Sequence, residues 1–223
     1  MKGSVFEREI CKALGRWWTD GERDDIFWRT AGSGARATCR FRKGQSTAGQ
    51  YGDVSAIDSI GEPLLQVFSI ELKRGYSANS FGDMFDFPAK AKKQKWEVFY
   101  SQAKASAEAS GARYWMLIWR RDRRKALVFM PLEVMMEVVF SGSGPESFSS
   151  FPNISAAVPL YGDKMVEVSC CAFEDFLKLV KPQHIMKIWK ESQVRKERSN
   201  EIHSKRIRKD GSNETEDTKL SGA

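Results

Sequence analysis

The sequence predicts an α/β fold in which a central mixed β-sheet is flanked by helices, and three observations predict it. Apolar residues recur at helical spacing near the start of the chain, and β-branched and aromatic runs in the middle read as strands. The order of segments is α-β-β-α-β-β-α, which suits helices packed on a sheet.

The first helix spans Ser4 to Trp17, with Phe6, Ile10, Ala13, Leu14 and Trp17 on one stripe and Ser4 as its N-cap. Glu7 and Glu9 flank that stripe on opposite sides, and periodicity does not choose which of them faces the sheet. Residues 19–51 lack a sustained apolar period and read as a loop, with a short strand at Ile26–Arg29. A hairpin follows: DVSAID, a turn at Gly61-Glu62-Pro63, then LLQVFSIELKR. In its second strand Phe68, Ile70 and Leu72 share one face, and Ser69, Glu71 and Lys73 share the other. A helix from Lys93 to Ser110 turns Trp96, Phe99, Ala103 and Ala107 inward, has Gln102 at the edge of that face, and stops at Gly111. RYWMLIW and KALVFM are strands around the basic turn Arg120–Lys125, and Leu132–Phe140 is a short apolar helix.

These elements make residues 1–140 a core. A Ser/Gly/Pro-rich break at 141–159 leads to a strand at Met165–Cys170 and a helix from Phe173 to Val180, which Pro182 ends. Residues 141–190 thus read as a small C-terminal extension packed on the core, and 191–223 as a charged tail, part frayed helix and part disordered.

Composition narrows the function. The chain has 36 Lys+Arg against 29 Asp+Glu, a net charge of +7, which favours polyanionic partners without identifying one. Cys11, Cys39, Cys170 and Cys171 form no CxxC pair and there are only two histidines, His184 and His203, so a zinc site is not expected. The charged start MKGSVFERE does not read as a signal peptide and no apolar run is long enough to span a membrane, so the expectation is a soluble, cytoplasmic protein.

Chemistry concentrates in the hairpin. Asp53 opens one strand and Glu71-Leu72-Lys73 lies in the other, so pairing across the Gly61 turn would bring two carboxylates together. Mutually repelling carboxylates call for a cation, and hard cations such as Mg²⁺ prefer such oxygens and retain waters that become nucleophiles. Lys73, on the same face as Glu71, can stabilise charge developing on a phosphate. On spacing alone D-x17-ExK is weak, because acids and bases alternate on many solvated strands.

The texts KGSVFERE at 2–9, RTAGSG at 29–34, GDV at 52–54 and IELK at 70–73, with a Gln-bearing helix before a strand at 102–118, follow one another in a known order. This layout resembles the archaeal Holliday-junction resolvases within the PD-(D/E)xK nucleases, over roughly residues 1–130. The resemblance implies a restriction-endonuclease-like core and a Mg²⁺-dependent DNA endonuclease in which Mn²⁺ can substitute. It makes Asp53 and Glu71 metal ligands, Lys73 the catalytic lysine, and Glu7 the helix acid that helps hold metal or water. Ser33 matches the mobile-loop serine near the scissile phosphate, Gln102 matches a helix position that supports the site, and a homodimer acting on branched DNA is implied. The loop from Gly32 to Gly52 is longer and more basic than in a minimal resolvase, and the stretch beyond about 140 has no counterpart in compact members. A virus- or mobile-element-encoded nuclease with a different DNA preference fits equally well.

Arg29, Arg36, Arg40, Arg42 and Lys43 precede the site and are candidate DNA-backbone contacts. The basic turn at 120–125 reads equally as solvated or as a phosphate contact. Trp17, Trp18 and Trp28 read as packing residues before base-stacking ones, and Asp24, Asp25 and Asp58 as minor alternative ligands. Two rival functions are a catalytically silent nucleic-acid-binding module of the same fold, and a restriction- or repair-type nuclease acting on duplex DNA.

Overall fold

A computed structural model of the chain describes residues 2–30, 51–80, 82–84, 93–140, 152–161 and 164–213. In chain order these give α1 (Lys2–Trp18), β1 (Phe27–Arg29), β2 (Val54–Ala56), a 3-10 turn (Ser59–Gly61), α2 (Glu62–Val67), β3 (Phe68–Arg74) and a second 3-10 turn (Gly82–Met84). There follow α3 (Lys95–Ser110), β4 (Tyr114–Arg120), β5 (Ala126–Pro131), α4 (Leu132–Phe140), β6 (Asn153–Leu160), β7 (Lys164–Ala172), α5 (Phe173–Leu179) and α6 (Pro182–Asn213). The chain divides into two units, 1–186 and 187–223; within the second, the described residues continue α6 as far as Asn213.

Five strands form a mixed sheet in the order β3-β4-β5-β7-β6. Among the described strands only β3 and β4 pair in parallel, because α3 carries the chain back between them, and parallel neighbours require such a crossover. The predicted α/β sheet flanked by helices is the observed architecture: α3 lies against β3 and β4, α1 against β1 and β3, and α4 and α5 against β5 and β7. Under α3, Trp96, Phe99, Tyr100 and Ala103 meet Trp115, Leu117, Trp119 and Phe129, with Trp96 stacked on Tyr100 at 5.3 Å. Burying each of these large side chains contributes about 1.5–3 kcal/mol, so α3 holds its place beside β3 firmly.

Four expectations need correcting. The hairpin between DVSAID and LLQVFSIELKR does not form: β2 pairs antiparallel with β1, Arg29 opposite Val54, and residues 62–67 are helical. Gly-Glu-Pro suits a turn, but proline in a first helical turn forfeits no hydrogen bond, and Pro63, Leu64 and Val67 are buried by the helix. The break at 141–159 conceals β6, which occupies a sheet edge where Pro159 is tolerated and strong strand formers are not needed. Pro182 begins a helix as well as following one, and that helix continues past Glu191. Acids and bases four apart, such as Glu191 and Arg195, favour that continuation without an apolar stripe. β7 pairs with β5 and β6 with β7, so the segments after residue 150 extend the main sheet itself.

Candidate active site

The site is built on the free edge of β3. One side of this strand pairs with β4, Glu71 opposite Leu117 and Lys73 opposite Trp119. Along the other side the chain brings Gly52 and Asp53. The Asp53 N–H donates to the Ile70 carbonyl at 2.8 Å, and the Leu72 N–H donates to Asp53 Oδ2 at 2.8 Å. A carboxylate thereby takes the place that a neighbouring strand's carbonyl would fill. Gly52 makes the approach possible: its φ is +70°, and a Cβ there would stand 2.7 Å from the Ile70 carbonyl oxygen.

Glu71 and Lys73 project from the α3 face of β3, as the alternation predicts, and Lys73 Nζ lies 5.6 Å from the Phe99 ring centroid. Lys73 Nζ donates to Glu71 Oε1 at 2.5 Å. Asp53 and Glu71 are both buried, at 5% exposure each. Burial first, and the neighbouring Glu71 charge second, push the Asp53 carboxyl up to about 7, with a smaller push from Glu7. The Leu72 N–H and Lys73 act the other way.

Glu7 and Glu9, which helical spacing left undecided, part company here. Glu7 Oε2 lies 3.3 Å from Arg29 Nε, yet among the described residues this buried oxygen has no hydrogen bond. Glu9 forms a two-pronged ion pair with Arg120, at 2.5 and 2.6 Å, which holds its carboxyl below the usual range. Cys11, one turn beyond Glu7, has its thiol pushed up to about 12 by burial and by the charges of Glu7 and Asp53.

The other sequence candidates are dispersed. Gln102 is exposed on α3. Arg29 is engaged by Glu7, while Ser33, Arg36, Arg40, Arg42 and Lys43 lie outside the described residues. Asp24 pairs with Lys12 and Arg16, and Asp25 and Asp58 with Arg23, so these acids serve the α1–β1 connection. Trp17 and Trp18 donate their indole N–H groups to the carbonyls of Val180 and Ile60, and Trp28 is 43% exposed. Sequence reasoning missed Ser69, a buried hydroxyl without a hydrogen bond among the described residues. It borders a cleft of about 270 Å³ that Tyr51, Val54, Gln66 and Phe68 also line. Its place on the Glu71 face was the available signal.

Among the described residues no group of three or more His, Cys, Asp or Glu side chains stands ready to hold a metal ion. The residues nonetheless fit a hard divalent cation. Asp53 and Glu71 are both buried acids, the Glu71 charge disfavours that of Asp53, and Glu7 offers an oxygen that lacks a hydrogen bond among the described residues.

A mixed sheet flanked by helices, with an acid bound to the edge of a strand carrying Glu-x-Lys, defines the PD-(D/E)xK class with its restriction-endonuclease-like core. The family model described as "Phage putative PDDEXK endonuclease" matches residues 1–187, and the chain belongs to that family. It is a nuclease of the PD-(D/E)xK superfamily, whose members generally use divalent metals. No curated protein and no solved structure matches it. Among the described residues no helix is long and apolar enough to cross a membrane.

Proposed function

We propose that the protein is a Mg²⁺-dependent DNA endonuclease that hydrolyses phosphodiester bonds, with Mn²⁺ able to substitute. The observation that carries this reading is the buried Asp53 carboxylate, anchored by the Leu72 N–H on the strand that also presents the Lys73–Glu71 pair. Asp53 and Glu71 would hold the cation, with Glu7 assisting. When bound, the cation supplies Lewis acidity and makes water a stronger nucleophile. Lys73, whose ammonium lies beside Glu71 on the same face of β3, stabilises charge developing on the scissile phosphate. Glu7 orients the attacking water, and the protein environment excludes bulk solvent around Asp53.

Ser33 and Gln102 are assigned supporting roles in this site, and Arg29, Arg36, Arg40, Arg42 and Lys43 contacts to the DNA backbone. By the resolvase resemblance the enzyme is a homodimer whose two sites cut symmetric branched DNA such as a four-way junction, and its proposed location is the cytoplasm. Residues 1–140 carry the assigned catalytic groups, 141–190 are an extension that continues the same sheet, and 191–223 are the tail. The phage description of the family favours a virus-encoded nuclease, for which the second reading is action on duplex DNA.

The test is cleavage of four-way junctions, flaps and linear duplex of one sequence with Mg²⁺ or Mn²⁺. Junction-selective cutting supports the resolvase reading and equal cutting of linear duplex the second. Asp53→Ala and Lys73→Ala should each lose at least about a hundredfold in rate. Undiminished cleavage by either variant overturns the site.

A further inference from the structure

Beyond Lys73, β3 ends at Arg74 and passes through Gly75 into the turn from Tyr76 to Asn79, where Tyr76 has φ 59°. A bulky side chain enters this left-handed region only at a cost, and such strain collects at working sites. Two other described non-glycine residues share a positive φ. Asp20 has the short polar side chain that tolerates it, and Arg123 sits on the β4–β5 turn. Tyr76 is the aromatic one. Its backbone bend leaves the ring 44% exposed and edge-on to Phe99, with centroids 4.9 Å apart.

A cation stands over the same ring. Lys95 Nζ is 4.8 Å from the Tyr76 centroid and 5.8 Å from that of Phe99, while Lys73 Nζ is 5.6 Å from Phe99. One buried phenyl ring thus spaces the ammonium of the candidate active site, a second ammonium and an exposed aromatic face. Lys73 has Glu71 as its carboxylate partner, whereas among the described residues no ion pair engages Lys95.

We propose that Tyr76 and Lys95 form a DNA subsite for the nucleotide neighbouring the scissile phosphate: Lys95 contacts its phosphate and the Tyr76 ring packs on its sugar or base. The proposal rests on the nuclease reading. Its chemistry follows from the pair itself, since an ammonium beside an exposed ring matches the alternation of anion and flat heterocycle along a nucleic-acid strand. A residue that merely covered Phe99 would have no need of a strained backbone.

The experiment measures binding of a fluorescein-labelled DNA duplex and of its single strand by anisotropy in Ca²⁺, together with thermal stability and cleavage in Mg²⁺. Tyr76→Gly removes the ring and relieves the strain, so its Tm should be equal to or above wild type while DNA affinity falls about 5- to 100-fold. Tyr76→Phe should keep most of that affinity. Lys95→Ala should lower the slope of log affinity against log salt by about 1. Wild-type affinity in Tyr76→Gly, or an unchanged salt slope in Lys95→Ala, overturns the subsite. Should Tyr76→Gly fold poorly, contradicting the strain argument, the Lys95→Ala slope still decides the phosphate contact. Failure of wild type to cleave any DNA strikes the nuclease reading instead, because the binding arms need no cleavage.

Discussion

Replacing Asp53 with asparagine should stabilise the metal-free protein while abolishing its activity. The carboxyl is pushed from 3.8 to about 7 by burial and by Glu71, so between those values the folded state keeps a proton that the unfolded chain releases. Raising the pH therefore favours unfolding: the penalty is absent below about 4 and complete above about 7. At 1.36 kcal/mol per tenfold change in proton affinity, the ceiling is about 4 kcal/mol. Water drawn toward the ionised group returns part of this, leaving about 2 kcal/mol. Asparagine carries no charge and its side-chain oxygen can still accept from the Leu72 N–H, so it should recover that amount, raising Tm by about 4–8 °C for a chain of this size. The assay is urea unfolding in EDTA at pH 4.5 and pH 8, followed by fluorescence of the seven tryptophans. The variant's advantage should appear at pH 8 and shrink toward zero at pH 4.5. Added Mg²⁺ should stabilise wild type more than the variant. An Asp53→Asn protein no more stable than wild type at pH 8, or a difference independent of pH, would refute the argument that Asp53 is held in a site unfavourable to its own charge.

Gly52→Ala should destabilise by about 1–3 kcal/mol in a chemical melt and cut cleavage as strongly as loss of Asp53, because the new methyl would meet the Ile70 carbonyl at 2.7 Å. Glu7→Gln should lower the cleavage rate at least about tenfold, whereas Glu9→Gln should leave it within about threefold. Glu9 is half-exposed, so loss of its Arg120 pair should cost no more than about 1 kcal/mol; that contribution is present above the ordinary glutamate pKa and fades as acid protonates Glu9. Cys11, Cys170 and Cys171, all buried with thiols pushed well above their usual range by that burial, should resist alkylation at pH 8 in the native protein and react at once in urea, which mass spectrometry would read.

What could be read in advance divides along a physical line. The two faces of β3 were legible because alternation is a local property: Phe68, Ile70 and Leu72 against Ser69, Glu71 and Lys73. Which partner a strand finds is not local, and there the reading failed: β2 pairs with β1, and α2 stands where a turn was expected. Glu7 and Glu9 are told apart by their burial and by the groups that meet them, Arg29 and Arg120, which lie 22 and 111 residues away from them. Yet the failed hairpin did not misplace the acids, and the reason lies in the edge. A buried carboxylate needs a donor, and the interior strands of a sheet have spent their N–H groups on both neighbours. Of the two edge strands of this sheet, β6 carries no acid, whereas β3 turns its Leu72 N–H away from β4, where Asp53 accepts it beside Glu71. Asp53 therefore belongs at that edge whether it arrives by a hairpin or, as it does, through the tight backbone approach of Gly52. By occupying the edge it also blocks the pairing with foreign strands that an open edge invites. The same two hydrogen bonds thus hold Asp53 beside Glu71 and close the β3 edge, so on the proposed site any substitution that frees that edge should lose activity and solubility together.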